Sequence, residues 1–199
     1  MTINQIVSDS ISIHQLILSD QNFLEKIQMA VDICVQSLQS GGKILLCGNG
    51  GSASDAQHIA AELSGRFYYD RPPLYAEALH VNTSYLTAVA NDYHFDKVYS
   101  RMLEAAGRKG DVLIGLSTSG NSANVVNAML TAKEIGMKTI AFTGSTGGKL
   151  SSSDILLNVP SICTPRIQEI HILIGHIVCE LIEKTIFPKD EGRNYPYSF

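Results

Sequence analysis

Residues 47–63 read CGNGGSASDAQHIAAEL, and the order of residue types in this stretch decides the fold class. The apolar run Lys43 to Cys47 leads into it, Gly48, Asn49, Gly50 and Gly51 form a Gly-rich loop, and from Ala53 to Ser64 apolar residues such as Ala56, Ile59, Ala60 and Leu63 recur at three- and four-residue steps. A short apolar run, a turn and then a 3.6-residue period spell buried strand, loop and helix. Outward from this unit, Leu74 to Leu79, Asp111 to Ser117, Lys138 to Thr143 and Asp154 to Val159 read as further buried strands. Helical patterns lie between and around them at Phe23 to Leu38, Thr83 to Ala90, Phe95 to Ala106 and Ala123 to Ile135, with a short one near Gly148 to Ser151. A last helix runs from Pro165 to Phe187, with Thr164 as N-cap and Pro165 at N1, and stops before Pro188. Ile3 to Leu18 has a looser helical spacing and is expected to pack on the domain or on a partner subunit. Strands alternating with helices predict an α/β three-layer sandwich: a five-stranded, mostly parallel sheet with helices on both faces, plus N-terminal helices. The 199 residues are expected to form a single domain, with a helical segment over 1–40 and an irregular tail over 188–199.

The net charge of −4 and the absence of a Lys/Arg cluster argue against a nucleic-acid or anionic-membrane partner. The first 20 residues have no basic start and no uninterrupted apolar stretch, so a cytoplasmic location is expected. Cys34, Cys47, Cys163 and Cys179 stand far apart without a CxxC pair, and free thiols are expected, three of them in apolar helix or strand runs.

Four constellations carry chemistry. The Gly-rich loop GNGGSAS at 48–54 sits where a parallel sheet binds ligands, yet it has neither the GK[ST] of a P-loop nor the GxGxxG of a dinucleotide site, so no nucleotide cofactor is expected. The segment LSTSGNSANV at 116–125 sets Ser117, Thr118, Ser119 and Ser122 around Gly120 at a helix start, a cradle for a phosphate monoester. The plainer reading makes Ser122 an N-cap and leaves the other hydroxyls to turn backbone. His58 and Glu62 stand at i, i+4 on one helix face, spaced to share a proton or a metal ion, and their small apolar neighbours speak against a solvated surface pair. RIQEIHILIGHIV at 166–178 places Gln168, Glu169, His171 and His176 on an otherwise apolar helix, as a site or as a satisfied buried network. Asn91 and Asp92 end a helical pattern as caps or as ligands for sugar hydroxyls, and Arg71 is expected in a surface salt bridge.

Taken in order, CGNGGSASDAQHIAAELSGRF, ANDYHFDKVYSR, LIGLSTSGNSANVV and RIQEIHILIGHIV resemble the SIS (sugar isomerase) family over nearly the whole chain, and within it the members acting on a seven-carbon sugar phosphate. The resemblance implies an aldose–ketose isomerase that converts sedoheptulose 7-phosphate to D-glycero-D-manno-heptose 7-phosphate through a cis-enediol, the entry to heptose for bacterial surface polysaccharide. It implies Glu62 as general base and His176 as acid or proton shuttle, with His58, Glu62, Gln168 and His176 as ligands of one Zn2+ per subunit. Asn49, Gly50, Gly51, Glu62, Asn91, Asp92, Ser117, Thr118, Ser119, Ser122 and Gln168 match the family's substrate-binding positions. The family likeness also implies a homotetramer with active sites at subunit interfaces. Ala61 stands where some relatives carry a second acidic residue, leaving Glu62 as the nearby base. The alternatives are a non-catalytic SIS protein that binds the replication initiator, a sugar-phosphate sensor, and an isomerase of another sugar phosphate. The initiator-binding relative lacks the carboxylate that Glu62 supplies here.

Overall fold

The computed structural model describes residues 2–188, so all but the first residue of the expected 188–199 tail lies outside the described residues. In chain order the elements are α1 (Ile3–Ser19), α2 (Gln21–Gln39), β1 (Ile44–Gly48), α3 (Gly51–Ser64), β2 (Ala76–Ala78), α4 (Thr83–Asp92), α5 (Val98–Ala106), β3 (Val112–Ser117), α6 (Ala123–Ile135), β4 (Lys138–Thr143), β5 (Ile155–Asn158) and α7 (Thr164–Ile186). The strands form one sheet in the order β2-β1-β3-β4-β5, and every neighbouring pair is parallel. The expected five-stranded sandwich is therefore present, with parallel pairing throughout.

Alternate side chains of the strands feed two cores. Ile44, Leu46, Ile114 and Phe142 pack with Val31 of α2, Leu63 of α3 and Ile174 of α7. Leu45, Cys47, Leu113 and Ala141 pack with Leu103 of α5 and Val125 and Ala128 of α6. All six residues of β3 are buried because both of its faces are covered, which is why its sequence is a continuous apolar run rather than an alternating one.

The strand order creates the site. The chain leaves β1 for β2 on one side and returns to place β3 on the other, and such a reversal opens a crevice at the carboxyl ends of the two strands. Gly48 and Leu116 are register partners, so the loops that follow β1 and β3 lie side by side.

Local departures from expectation have physical causes. The helix after β1 begins at Gly51, two residues early, and the one expected over Phe95 to Ala106 opens with a separate 3-10 turn, Phe95–Lys97, before α5. The N-cap of α7 is Cys163 instead of Thr164. The Ile167 N–H that a Thr164 hydroxyl would have accepted from already bonds the Cys163 carbonyl at 3.0 Å. α1 packs on α2 and α7, yet Ile17 is its one buried residue and Ile3 and Leu18 remain 80% and 75% exposed. Cys34, Cys47 and Cys179 are buried free thiols, and burial pushes Cys34 and Cys47 up to about 12, whereas Cys163 is exposed. Among the described residues no helix is long and apolar enough to cross a membrane.

Candidate active site

α3 springs from the loop after β1, and its buried side, Ala56, Ile59, Ala60 and Leu63, holds it on the sheet. The residues between those positions turn His58 and Glu62 the other way, toward α7. Gly175 of α7 permits the contact, since a Cβ there would fall 2.5 Å from Ile59 Cδ1. The next residue, His176, thereby meets α3: its Nε2 is 3.4 Å from His58 Nε2, and His58 Nε2 is 3.0 Å from Glu62 Oε1. The two rings meet edge to face with centroids 5.0 Å apart, and Phe67 lies against His176 at 5.8 Å. Side-chain exposures of 48% for His58 and 26% for Glu62 leave the pair open to solvent in the single chain, although its small apolar neighbours speak against a solvated pair.

One donor atom from each of His58, Glu62 and His176 lies within 4.8 Å of the others, a group able to hold a metal ion. Zinc takes nitrogen and carboxylate-oxygen ligands at about 2.0–2.1 Å, which in a tetrahedron stand about 3.3 Å apart. The separations of 3.0 and 3.4 Å around His58 match that spacing before any ion is considered. Gln168, named with these three by resemblance, lies on α7 two turns earlier, and its amide is against the β1 loop: a Cβ on Gly51 would sit 2.5 Å from Gln168 Nε2.

Asp55, one turn before His58, was not singled out by its sequence. Its carboxyl is half-buried, Oδ2 has no hydrogen-bond partner, and burial raises its pKa against the opposing pull of His58. The i, i+3 spacing to His58 was the available signal.

The serine loop brings three of its hydroxyls together and answers the N-cap question for Ser122. Ser122 is the residue before α6, but its hydroxyl makes no capping bond. It pairs with Ser117 Oγ at 2.9 Å, and Ser119 Oγ is 3.5 Å from Ser117 Oγ while accepting the Asn121 N–H at 3.1 Å. Three hydroxyls thus gather over the start of α6, where the partial positive charge of the helix favours an anion. Gly120 makes the turn with φ +66°, and a Cβ there would lie 2.1 Å from the Gly147 carbonyl oxygen, so the loop after β4 packs directly on the cradle. Thr118 joins that support through its carbonyl, which accepts the Gly144 N–H at 2.9 Å.

Asn49 and Asn124 exchange two amide hydrogen bonds, 2.9 and 2.8 Å, across the crevice. Gly50 carries the turn into α3 with φ +57°, and the Tyr99 hydroxyl donates to the Gly48 carbonyl from below. Asn91 and Asp92 close α4 in the exposed layer, and their side chains bond each other at 2.9 Å rather than any group of the crevice.

Two polar residues of the expected set prove structural. His171 is fully buried and its Nε2–H donates to the Thr143 carbonyl at 3.2 Å; burial, only partly offset by that bond, lowers its pKa to about 4, so it is neutral. Arg71 is not in a surface pair: its side chain is 2% exposed and bonds the fully buried Glu183 at 3.0 Å. Its remaining donors serve the carbonyls of Glu62, Leu63, Gly65 and Pro72, the end of α3 and the turn beyond.

The sequence matches the SIS domain family over residues 13–144. It is similar to a phosphoheptose isomerase of Sulfurimonas denitrificans, 50% identical over 93% of this chain and 95% of the relative. A phosphoheptose isomerase of Clostridium acetobutylicum is 52% identical over 91% of this chain and 93% of that one. Among solved structures, a phosphoheptose isomerase from Neisseria gonorrhoeae superposes with a TM-score of 0.85 at 47% identity, covering 92% of this chain and 97% of its own.

Proposed function

The chain belongs to the SIS domain family, and from that membership we propose that it is a phosphoheptose isomerase, an aldose–ketose isomerase interconverting sedoheptulose 7-phosphate and D-glycero-D-manno-heptose 7-phosphate. Two observations support the reading: Glu62 and His176 converge between α3 and α7, and a three-hydroxyl cradle stands at the switch point of a parallel sheet.

The phosphate of the open-chain sugar docks on Ser117, Ser119 and Ser122 at the start of α6, which fixes one end of the substrate. Gly50, Gly51 and Asn49 offer backbone and amide groups to its hydroxyls, with Thr118, Gln168, Asn91 and Asp92 completing the family's set. Glu62 removes a proton from C1 of the ketose while His176 supplies one to the C2 oxygen, giving the cis-enediol. His176 then takes the proton from the C1 oxygen as Glu62 returns one to C2, so both groups are restored, the product is an isomer and no redox cofactor is consumed.

His58, Glu62 and His176 fit Zn2+ by donor type and spacing, and Gln168 completes the set by resemblance. When bound, such an ion would polarise the substrate carbonyl and make the adjacent C–H easier to ionise. Glu62 would then be both a ligand of the ion and the base for the proton.

The reading extends to a cytoplasmic homotetramer with the site completed between subunits. The exposed apolar side chains of α1, Ile3, Val7, Ile11 and Leu18, support assembly through that helix. Light scattering on purified protein is expected to give four chains. For activity, the test is incubation with sedoheptulose 7-phosphate and added zinc, following aldose formation by NMR; a folded protein that forms no aldose removes the reading.

A further inference from the structure

Asn124 is buried to 3% exposure on α6 and lies two residues beyond the serine cradle, whereas Asn49 is partly exposed at the mouth of the β1 loop. Each amide donates to the other's oxygen, Asn49 Nδ2 to Asn124 Oδ1 at 2.9 Å and Asn124 Nδ2 to Asn49 Oδ1 at 2.8 Å. Asn124 Oδ1 also accepts the Val125 N–H at 3.0 Å, one of the otherwise unbonded donors of the first turn of α6. That third bond decides the orientation of both amides. An oxygen of Asn124 must face Val125 N–H and Asn49 Nδ2, and the oxygen of Asn49 must then face Asn124 Nδ2. Asn49 consequently keeps one N–H and one carbonyl lone pair unengaged.

We infer that Asn124 is a positioning residue for substrate: by bonding both ends of the Asn49 amide it fixes which group Asn49 presents to the sugar, and it holds the β1 loop at a set distance from the phosphate cradle. The inference rests on the sugar-phosphate reading above. A sugar phosphate bridging the two loops needs both held in register, and no other side-chain hydrogen bond among the described residues joins them. An amide free to rotate would offer the sugar a donor or an acceptor indifferently and would lose discrimination at that hydroxyl.

The test is a double-mutant cycle on the full-length protein with sedoheptulose 7-phosphate, using Asn124→Leu, Asn49→Ala and the two combined. Asn124→Leu is expected to raise KM about tenfold, the worth of roughly one net hydrogen bond, with kcat changed less than about threefold. The combined variant is expected to be no worse than Asn49→Ala alone, because Asn124 acts through Asn49. Asn124→Ser removes both bonds to the Asn49 amide without adding charge or bulk, so it is expected to fold as the wild type does and to raise KM as Asn124→Leu does. Losses that multiply in the combined variant, or an unchanged KM in both Asn124 variants at normal melting temperature, would overturn the inference. If Asn124→Leu does not fold, the same cycle is run with Asn124→Ser. Wild type that forms no aldose would instead remove the functional reading itself, a separate outcome.

Discussion

Replacing Glu183 with Leu tests how the two catalytic helices are locked together. Glu183 is fully buried on α7 and bonds Arg71 Nε at 3.0 Å, the Phe67 N–H at 3.0 Å and the Tyr68 N–H at 2.8 Å. The substitution leaves a guanidinium that is 2% exposed without its counter-charge, a loss of about 3–5 kcal/mol. It also strips two part-buried N–H groups of their acceptor, adding about 1 kcal/mol. A loss of roughly 4–6 kcal/mol is a large part of the 5–15 kcal/mol typical of a domain. At roughly 2–4 °C per kcal/mol for a chain of this size, the melting temperature should fall by about 10–20 °C. Replacing a buried ion pair wholly by apolar residues is often neutral, but here it should not be. In Arg71→Met/Glu183→Leu the carbonyls of Glu62 and Gly65 and the N–H groups of Phe67 and Tyr68 remain orphaned, while the Leu63 carbonyl keeps the Leu74 N–H, so the double variant should stay at least about 3 kcal/mol below wild type. The assay is urea unfolding followed by circular dichroism at one fixed protein concentration. A Glu183→Leu loss under about 1 kcal/mol, or a double variant that regains wild-type stability, would refute the reasoning.

Three further outcomes follow from the same coordinates. His171 is neutral in the folded chain, with a pKa of about 4 against 6.5 unfolded, so the unfolded state binds the extra proton between those values. The stability it contributes is complete above pH 6.5 and is lost as pH falls to 4, about 3 kcal/mol in all, and urea midpoints for His171→Phe should be flatter than wild type across that window. Gly120→Ala forces a Cβ to within 2.1 Å of the Gly147 oxygen at φ +66°, and should cost at least about 2 kcal/mol and raise KM for the phosphate-bearing substrate, while the kinetics of a fully wild-type cradle in that variant would contradict the geometry. Zinc titration by calorimetry should give one site per chain that weakens more than tenfold in His58→Ala and in His176→Ala; equal affinity in all three proteins would place any metal elsewhere.

Much of the fold was legible because it depends on local pattern. Buried strands of a parallel sheet are continuous apolar runs ended by Gly or polar loops, and β3 and β4 fall within or at the expected limits, Asp111 to Ser117 and Lys138 to Thr143. The His58 and Glu62 pair was legible for the same reason, since i, i+4 spacing on a helix fixes their mutual placement. What depends on distant partners was not. Arg71 is buried because Glu183, 112 positions later, waits for it, and nothing beside Arg71 in the chain says so. His171 and His176 stand five residues apart on one helix, and only the position of α3 against α7 sends one into the core and the other to His58. Ser122 occupies a capping position, and its hydroxyl turns to Ser117 because β3 ends at that residue.

The central claim is that Glu62 moves the proton between the two carbons. It is tested most directly by comparing aldose formation from sedoheptulose 7-phosphate by wild type and by Glu62→Gln, each zinc-replete and with its melting temperature measured. Wild-type turnover with a Glu62→Gln kcat lower by about 10²–10⁴-fold, at a melting temperature within a few degrees, is the expected result. Equal turnover by the two proteins would contradict the assignment of Glu62 as base, and no turnover by folded wild type would contradict the isomerase.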